Sequence, residues 1–271
     1  MLYYFYQLVI TSYLNEKGKS MAYRHDSDLE FLEEINSSDL DDLVYILTHD
    51  KDGEKRYSEN LTTTEDYETY HPNHKKYWKL IAEEVQCFGG NTFANALRFG
   101  EGVKYKEILI DVCDKLKVNY NKNASVENIE TKLLMKILED ALEKMSPEEI
   151  KELADSIGIK NTQSFTAEAM SGIFQAIFRA GGFKSYQLTL IIVNTVLKAL
   201  IGRGLSLAAN ATLTRTMAIL TGPIGWVITG LWTAIDIAGP AYRVTIPSVI
   251  QIAAIRQKHL YGNEAENVSF S

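Results

Sequence analysis

The residues that could do chemistry are few and scattered. His71-Pro72-Asn73-His74 sets two imidazoles three positions apart, a spacing that a metal ion could use. Pro72 keeps that pair off the body of a helix, no cysteine lies near it, and the surrounding acids follow no ligand pattern. A polar loop feeding a helix N-terminus is the stronger reading. Cys87 and Cys113 each fall beside the apolar face of an amphipathic stretch, where free thiols are usually buried. Glu33/Glu34 and Glu83/Glu84 are adjacent in sequence, so on a helix they diverge and read as solvated faces. Lys75-Lys76-Tyr77-Trp78-Lys79 interleaves bases with aromatics, as nucleic-acid contacts do. The region around it is acidic, and no nucleic-acid partner is expected. The sequence holds no G-x-x-x-x-G-K-[ST] loop and no G-x-S-x-G elbow. Phe99-Gly100-Glu101-Gly102-Val103-Lys104 has phosphate-like glycines but no strand pattern before it. The expectation is no catalytic set, no metal site and no cofactor.

The elements that would position side chains are helical throughout. Ser27 is placed to cap a helix carrying Leu29, Phe31, Leu32 and Ile35. A second follows Ser38, with Leu40, Leu43, Val44 and Leu47 on one side. Asp50-Lys51-Asp52-Gly53 reads as a turn, and residues 54–72 as a loop with a short helix. A strong helix starts at Asn73 through Tyr77, Trp78, Ile81, Ala82, Val85 and Phe88, and Gly89-Gly90 ends it. Asn91 can cap a further turn over 92–99. Further helices span about 103–116 and begin at Ser125. Ser146-Pro147-Glu148-Glu149 has Ser at the cap, Pro at the first helical position and Glu at the third, the sharpest local signal in the chain. Strand alternation is confined to a weak Val244–Ile246 stretch, which Pro247 argues against. The fold class is all-α, a multi-helix bundle.

Charge divides the chain. Of its 271 residues, 28 are Lys or Arg and 35 are Asp or Glu, a net charge of −7. Residues 1–164 hold 51 of these charges, net −11, whereas 165–260 hold only 10, net +6. The 46% apolar content excludes wholesale disorder, and two cysteines exclude a disulfide scaffold. The expected organisation is a leader at 1–20, a helical module at 21–56, an acidic helical domain at 57–164, an apolar Gly/Pro-punctuated region at 165–260, and a tail at 261–271.

In the apolar region, helices are expected around Phe174–Phe178 and over Tyr186–Leu200. Thr216–Ile235 contains no charge, is bracketed by Arg215 and Asp236, and matches the length of one bilayer crossing. Gly222-Pro223-Ile224-Gly225 interrupts it and allows a hydrophobic hairpin. Trp226 and Trp232 lie inside the stretch rather than at its ends. Buried core, conditional insertion and a constitutive span all remain open. Gly222, Pro223, Gly225, Trp226, Trp232, Arg215 and Arg243 are the expected membrane or partner contacts, the arginines near anionic headgroups.

Residues 1–20 lack the basic start and small-residue cleavage site of a signal peptide. Glu16-Lys17-Gly18 can be encoded as a purine-rich ribosome-binding sequence. Met21 is therefore the expected start, with a peripheral docking segment as the alternative.

His49–Arg56 (HDKDGEKR), Trp78–Asn95 (WKLIAEEVQCFGGNTFAN), Tyr105–Leu116 (YKEILIDVCDKL) and above all Ala241–Ala254 (AYRVTIPSVIQIAA) resemble the YaaW-type family of uncharacterised bacterial proteins. That family is grouped loosely with the ubiquinol–cytochrome c chaperones. The resemblance implies that residues 73–160 form a chaperone-like helical part, and that Ser27–Arg56 is a short module of unknown function. It carries over no catalytic residue.

The expected function is non-enzymatic: a cytoplasmic, membrane-associating, chaperone-like assembly factor, peripheral or conditionally inserted at the inner membrane. Its partners would be a protein client or a second copy, and an anionic membrane surface. A conditional pore-forming effector and a soluble homo-oligomer are the rival readings.

Overall fold

The computed structural model describes residues 23–90, 102–159, 164–205, 223, 227, 230 and 241–262. Among them the fold is all-α, with no strand and one isolated bridge, His49 to Lys55, across the turn at Gly53. The helices are α1 (Ser37–Thr48), α2 (Glu65–Tyr70), α3 (Trp78–Gly90), α4 (Tyr105–Lys115), α5 (Val126–Leu142), α6 (Pro147–Ser156), α7 (Ala167–Ala180), α8 (Gly182–Ile201) and α9 (Tyr242–Tyr261).

Helix starts follow local chemistry. Ser125 Oγ accepts from Asn128 N at the head of α5. At α6 the box closes in both directions: Ser146 Oγ takes Glu149 N–H, and Glu149 takes Ser146 N–H. Thr166 caps α7 in the same way. Gly181 at φ 69° lets the chain leave α7 and enter α8 without a loop.

The expected helix after Ser27 does not form. One 3-10 turn, Glu30–Glu33, stands in its place. Asp26 accepts the N–H groups of Asp28 and Leu29 in a turn, and the Asp28 carbonyl is taken by Arg256 from the far end of the chain. The helix expected from Asn73 likewise begins as a 3-10 turn, His74–Tyr77, before α3.

Helix α9 is the centre of the structure. Every residue from Val244 to Gln257 is buried, so the helix shows no amphipathic stripe. It runs antiparallel to α8, with Ser185 Oγ donating to Gln257 Oε1 at 3.2 Å, and it also packs on α1, α3, α4 and α5. Pro247 lies within it, six residues from the start. The ring removes one backbone bond but does not end the helix, because neighbours cover the segment on all sides. The weak strand-like pattern at Val244–Ile246 is therefore helix. One hydrophobic core runs through both the acid-rich and the charge-poor parts of the chain. Each fully buried Leu or Ile in it contributes about 1.5–3 kcal/mol.

Candidate functional site

The apolar helices meet the acid-rich part through ion pairs. The most buried joins α5 to α9. Arg256 Nε lies 3.0 Å from Glu130 Oε2 and 3.2 Å from Oε1, and Arg256 Nη2 donates to the Asp28 carbonyl at 2.7 Å. The Tyr105 hydroxyl of α4 donates to Glu130 Oε1 at 2.6 Å. The guanidinium packs over the Phe31 ring, 4.2 Å from its centre. Burial pulls the Arg256 pKa down, but Glu130 and Tyr105 outweigh it and hold it above the ordinary value. The N-terminal strap is sewn to the same place. Asp26 accepts from Tyr105 N at 2.6 Å, and Gln86 exchanges bonds with both backbone groups of Arg24.

A second cluster holds the end of α8. Gly202, at φ 72°, turns the chain back, and Asn194 Oδ1 accepts from Leu205 N at 2.8 Å. Arg203 then reaches Asp41 Oδ2 at 2.7 Å and Asp42 Oδ1 at 3.1 Å, with its guanidinium over the Tyr45 ring. Asp41 also faces His74 Nε2 at 3.3 Å, while His74 Nδ1 meets the Tyr77 hydroxyl. Burial works against the Asp41 carboxylate, yet Arg203 and His74 together hold its pKa below the ordinary range. Burial lowers the pKa of His74 despite Asp41. Two further pairs complete the junction: Lys258 Nζ with Asp39 at 2.7 Å, and His259 Nε2 with Glu34 at 3.6 Å.

These groups bind one another and present no accessible nucleophile. Cys87 and Cys113 are free and buried, and burial pushes both thiols up to about 12, away from reactive thiolate. His71 and His74 are neighbours, rings 5.4 Å apart, but no group of three metal-ligand side chains occurs among the described residues. Tyr77 and Trp78 are core residues, so the basic–aromatic run offers no rings for stacking on bases. Glu84 departs from the sequence reading. It is buried rather than solvated, and its Oε1 accepts from Asn60 N at 3.2 Å. Glu59 binds Thr62 beside it.

Of the seven expected contact residues, Arg215, Gly222, Gly225, Trp226 and Trp232 lie outside the described residues, as does residue range 1–22. Pro223 is helical and buried; Arg243 is exposed in the first turn of α9. No helix among the described residues is long and apolar enough to cross a membrane. What the sequence reading missed is the pairing. Arg203, Arg256 and Lys258 take Asp39, Asp41, Asp42 and Glu130 as partners across long sequence separations, which residue spacing does not reveal. One signal was available: Asp39 and Asp42 sit three apart among the apolar positions of α1, where an unpaired carboxylate is costly.

A family match covers this same geometry. Residues 73–250, which span α3 to the middle of α9, match the ubiquinol-cytochrome C chaperone family. Residues 23–57, the strap, α1 and the turn at Gly53, match a domain of unknown function, DUF3944. A UPF0174 protein of Helicobacter pylori is 55% identical over 244 residues, 90% of this chain and 96% of that protein. The chain belongs to the UPF0174 (YaaW) family. A second H. pylori UPF0174 protein is 44% identical over 205 residues, 74% of this chain and 98% of its own. The UPF0174 protein YaaW of Escherichia coli K12 is 34% identical over 244 residues, 88% of this chain and 97% of its own. No solved structure matches the chain. The ubiquinol-cytochrome C chaperone match ends within the YRVTIP helix, whose Val244–Pro247 segment is buried.

Proposed function

We propose that this UPF0174 member is a non-enzymatic, chaperone-like assembly factor that associates with membranes and holds a protein client. The observation that carries this reading is the junction. A charge-poor helix pair, α8 and α9, is kept inside an acid-rich shell by side-chain ion pairs at Arg203, Arg256 and Lys258. Ion pairs of this kind hold apolar helices while leaving them responsive to a competing charged surface. Thr216–Ile235, twenty residues without charge, follows α8 in sequence. The chaperone-family match supports a client role.

The test is fractionation of cells making the full chain, with and without an alkaline carbonate wash. The reading expects recovery with membranes and release by carbonate, together with co-purification of a specific membrane-protein client after crosslinking. Recovery entirely in the soluble fraction as a defined oligomer, with no binding to liposomes, overturns it. Dye leakage from anionic liposomes would favour the pore-forming reading, which the uncharged stretch also supports.

A further inference from the structure

Four basic or ionisable side chains of the charge-poor part converge on one short acidic stretch. Arg203 meets Asp41 and Asp42, Lys258 meets Asp39, Arg256 takes the Asp28 carbonyl, and His259 faces Glu34. Asp39 and Asp42 are both buried, so a charge on either needs compensation, and Lys258 and Arg203 supply part of it. Their helix, α1, lies against α9, and its Leu40, Leu43, Ile46 and Leu47 are buried. The stretch therefore acts as the counter-ion of the apolar helices as well as part of their apolar cover.

The contact beneath is not well satisfied. Gln251 stands two turns before Lys258 on α9, at the i, i+7 spacing that shares a face. It is fully buried, and neither its amide nitrogen nor its oxygen has a hydrogen bond. Ser248 Oγ, three residues earlier on the same helix, is buried and unbonded as well. Buried polar atoms without partners disfavour the closed arrangement and would gain partners on opening.

We propose that Asp28–Asp42 is a displaceable cover, and that an anionic lipid surface competes with its carboxylates for Arg203, Lys258 and His259. This rests on the membrane-associating reading above and supplies its trigger. Lipid phosphodiesters offer the same three side chains negative oxygens in place of Asp39, Asp41, Asp42 and Glu34. Each basic side chain brought to such a surface strengthens binding roughly fivefold. Arg256 keeps Glu130 and stays in the core.

Hydrogen exchange of the full chain, with flotation on vesicles, tests the cover. Phosphatidylglycerol–phosphatidylcholine vesicles are expected to deprotect the Ser37–Thr48 amides while the α5 amides stay protected. Pure phosphatidylcholine vesicles and inorganic phosphate at matched concentration should not. Asp39→Asn with Asp42→Asn should raise anionic-vesicle binding roughly fivefold or more, and Arg203→Gln with Lys258→Gln should lower it by a similar factor. If the aspartate variant does not fold by circular dichroism, exchange in the wild-type chain decides. Vesicle binding with Ser37–Thr48 still protected and no change in either variant overturns the cover but leaves membrane association standing. No binding by any form removes both. Opening of Ser37–Thr48 by inorganic phosphate alone, or only on self-association, also overturns the lipid assignment.

Discussion

Arg256 and Glu130 lie 126 positions apart in sequence and share a 3.0 Å ion pair, with both side chains almost wholly inside the protein. Removing one partner leaves a buried charge without compensation. Arg256→Met or Glu130→Gln should each cost about 3–5 kcal/mol in a urea titration. Arg256→Met combined with Glu130→Leu should recover most of that loss, because an apolar pair needs no counter-ion. Equal losses in the singles and the double would mean that the Asp28 and Tyr105 bonds, rather than the ion pair, carry the effect.

Glu84 gives a pH dependence of defined sign. Burial, with Glu59 and Glu83 nearby, pushes its carboxyl up to about 7 from an ordinary 4.5, against the pull of the Asn60 and Leu61 amides. Between those values the folded chain holds a proton that the unfolded chain has released. Stability from this group is therefore present at low pH and lost as pH rises through the window. Glu84→Gln keeps an oxygen for Asn60 N–H and carries no charge. It should stabilise the protein by about 1–3 kcal/mol at pH 8 and hardly at all at pH 4. Denaturant titrations at pH 4, 6 and 8 read this directly, and a difference independent of pH would refute it.

His74 titrates with the opposite consequence. Burial holds its pKa below 6.5, with Asp41 opposing and His71 adding to the depression. Tyr77 keeps its proton, because burial drives its pKa up. The phenol therefore donates to His74 Nδ1, and the Nε2–H points at Asp41. Below pH 6.5 the unfolded chain takes up a proton that the folded one resists, so stability falls with acid. Nitrogen-15 NMR should report a neutral Nε2–H tautomer down to a pH below 6.5. His74→Gln should flatten the acid side of the stability profile. A titration at or above 6.5 would sink this assignment.

The sequence was most readable where neighbours in the chain decide the outcome. The Ser146 box, the Ser125 cap and the turn at Gly53 each need only a few adjacent residues, and each forms. The apolar faces of α1 and α3 were likewise legible from three-to-four spacing, although Asp42 and Glu84, off those faces, are buried as well. Helix α9 was not, because a helix buried all round has no polar face to set its period. The helix expected after Ser27 is likewise a matter of distant contacts: Arg256, more than 200 residues away, holds the Asp28 carbonyl, and the segment forms one 3-10 turn instead. Glu84 shows the same limit. Whether a helical carboxylate is solvated depends on the segment laid across it, here Asn60 to Thr62. The expected contact residues could not be placed in the same way, since five of the seven lie outside the described residues.

The FGGN block draws its first glycine from packing. Gly89 lies near the end of α3, where a Cβ would overlap the Ile108 side chain of α4. Ile108 is itself buried, so it has little room to move aside. Gly89→Ala would gain helix propensity on its own, as a glycine in a helix costs about 1 kcal/mol relative to alanine. The overlap should win, for a net loss of about 1–2 kcal/mol. Gly89→Ala with Ile108→Ala opens the space and lets the propensity gain show. The double variant should therefore be more stable than Ile108→Ala alone, although Gly89→Ala is less stable than wild type. That reversal of sign in a double-mutant cycle, measured by thermal or urea unfolding, is what a steric origin requires. A loss of the same size in both backgrounds would instead place the demand on the backbone at residue 89.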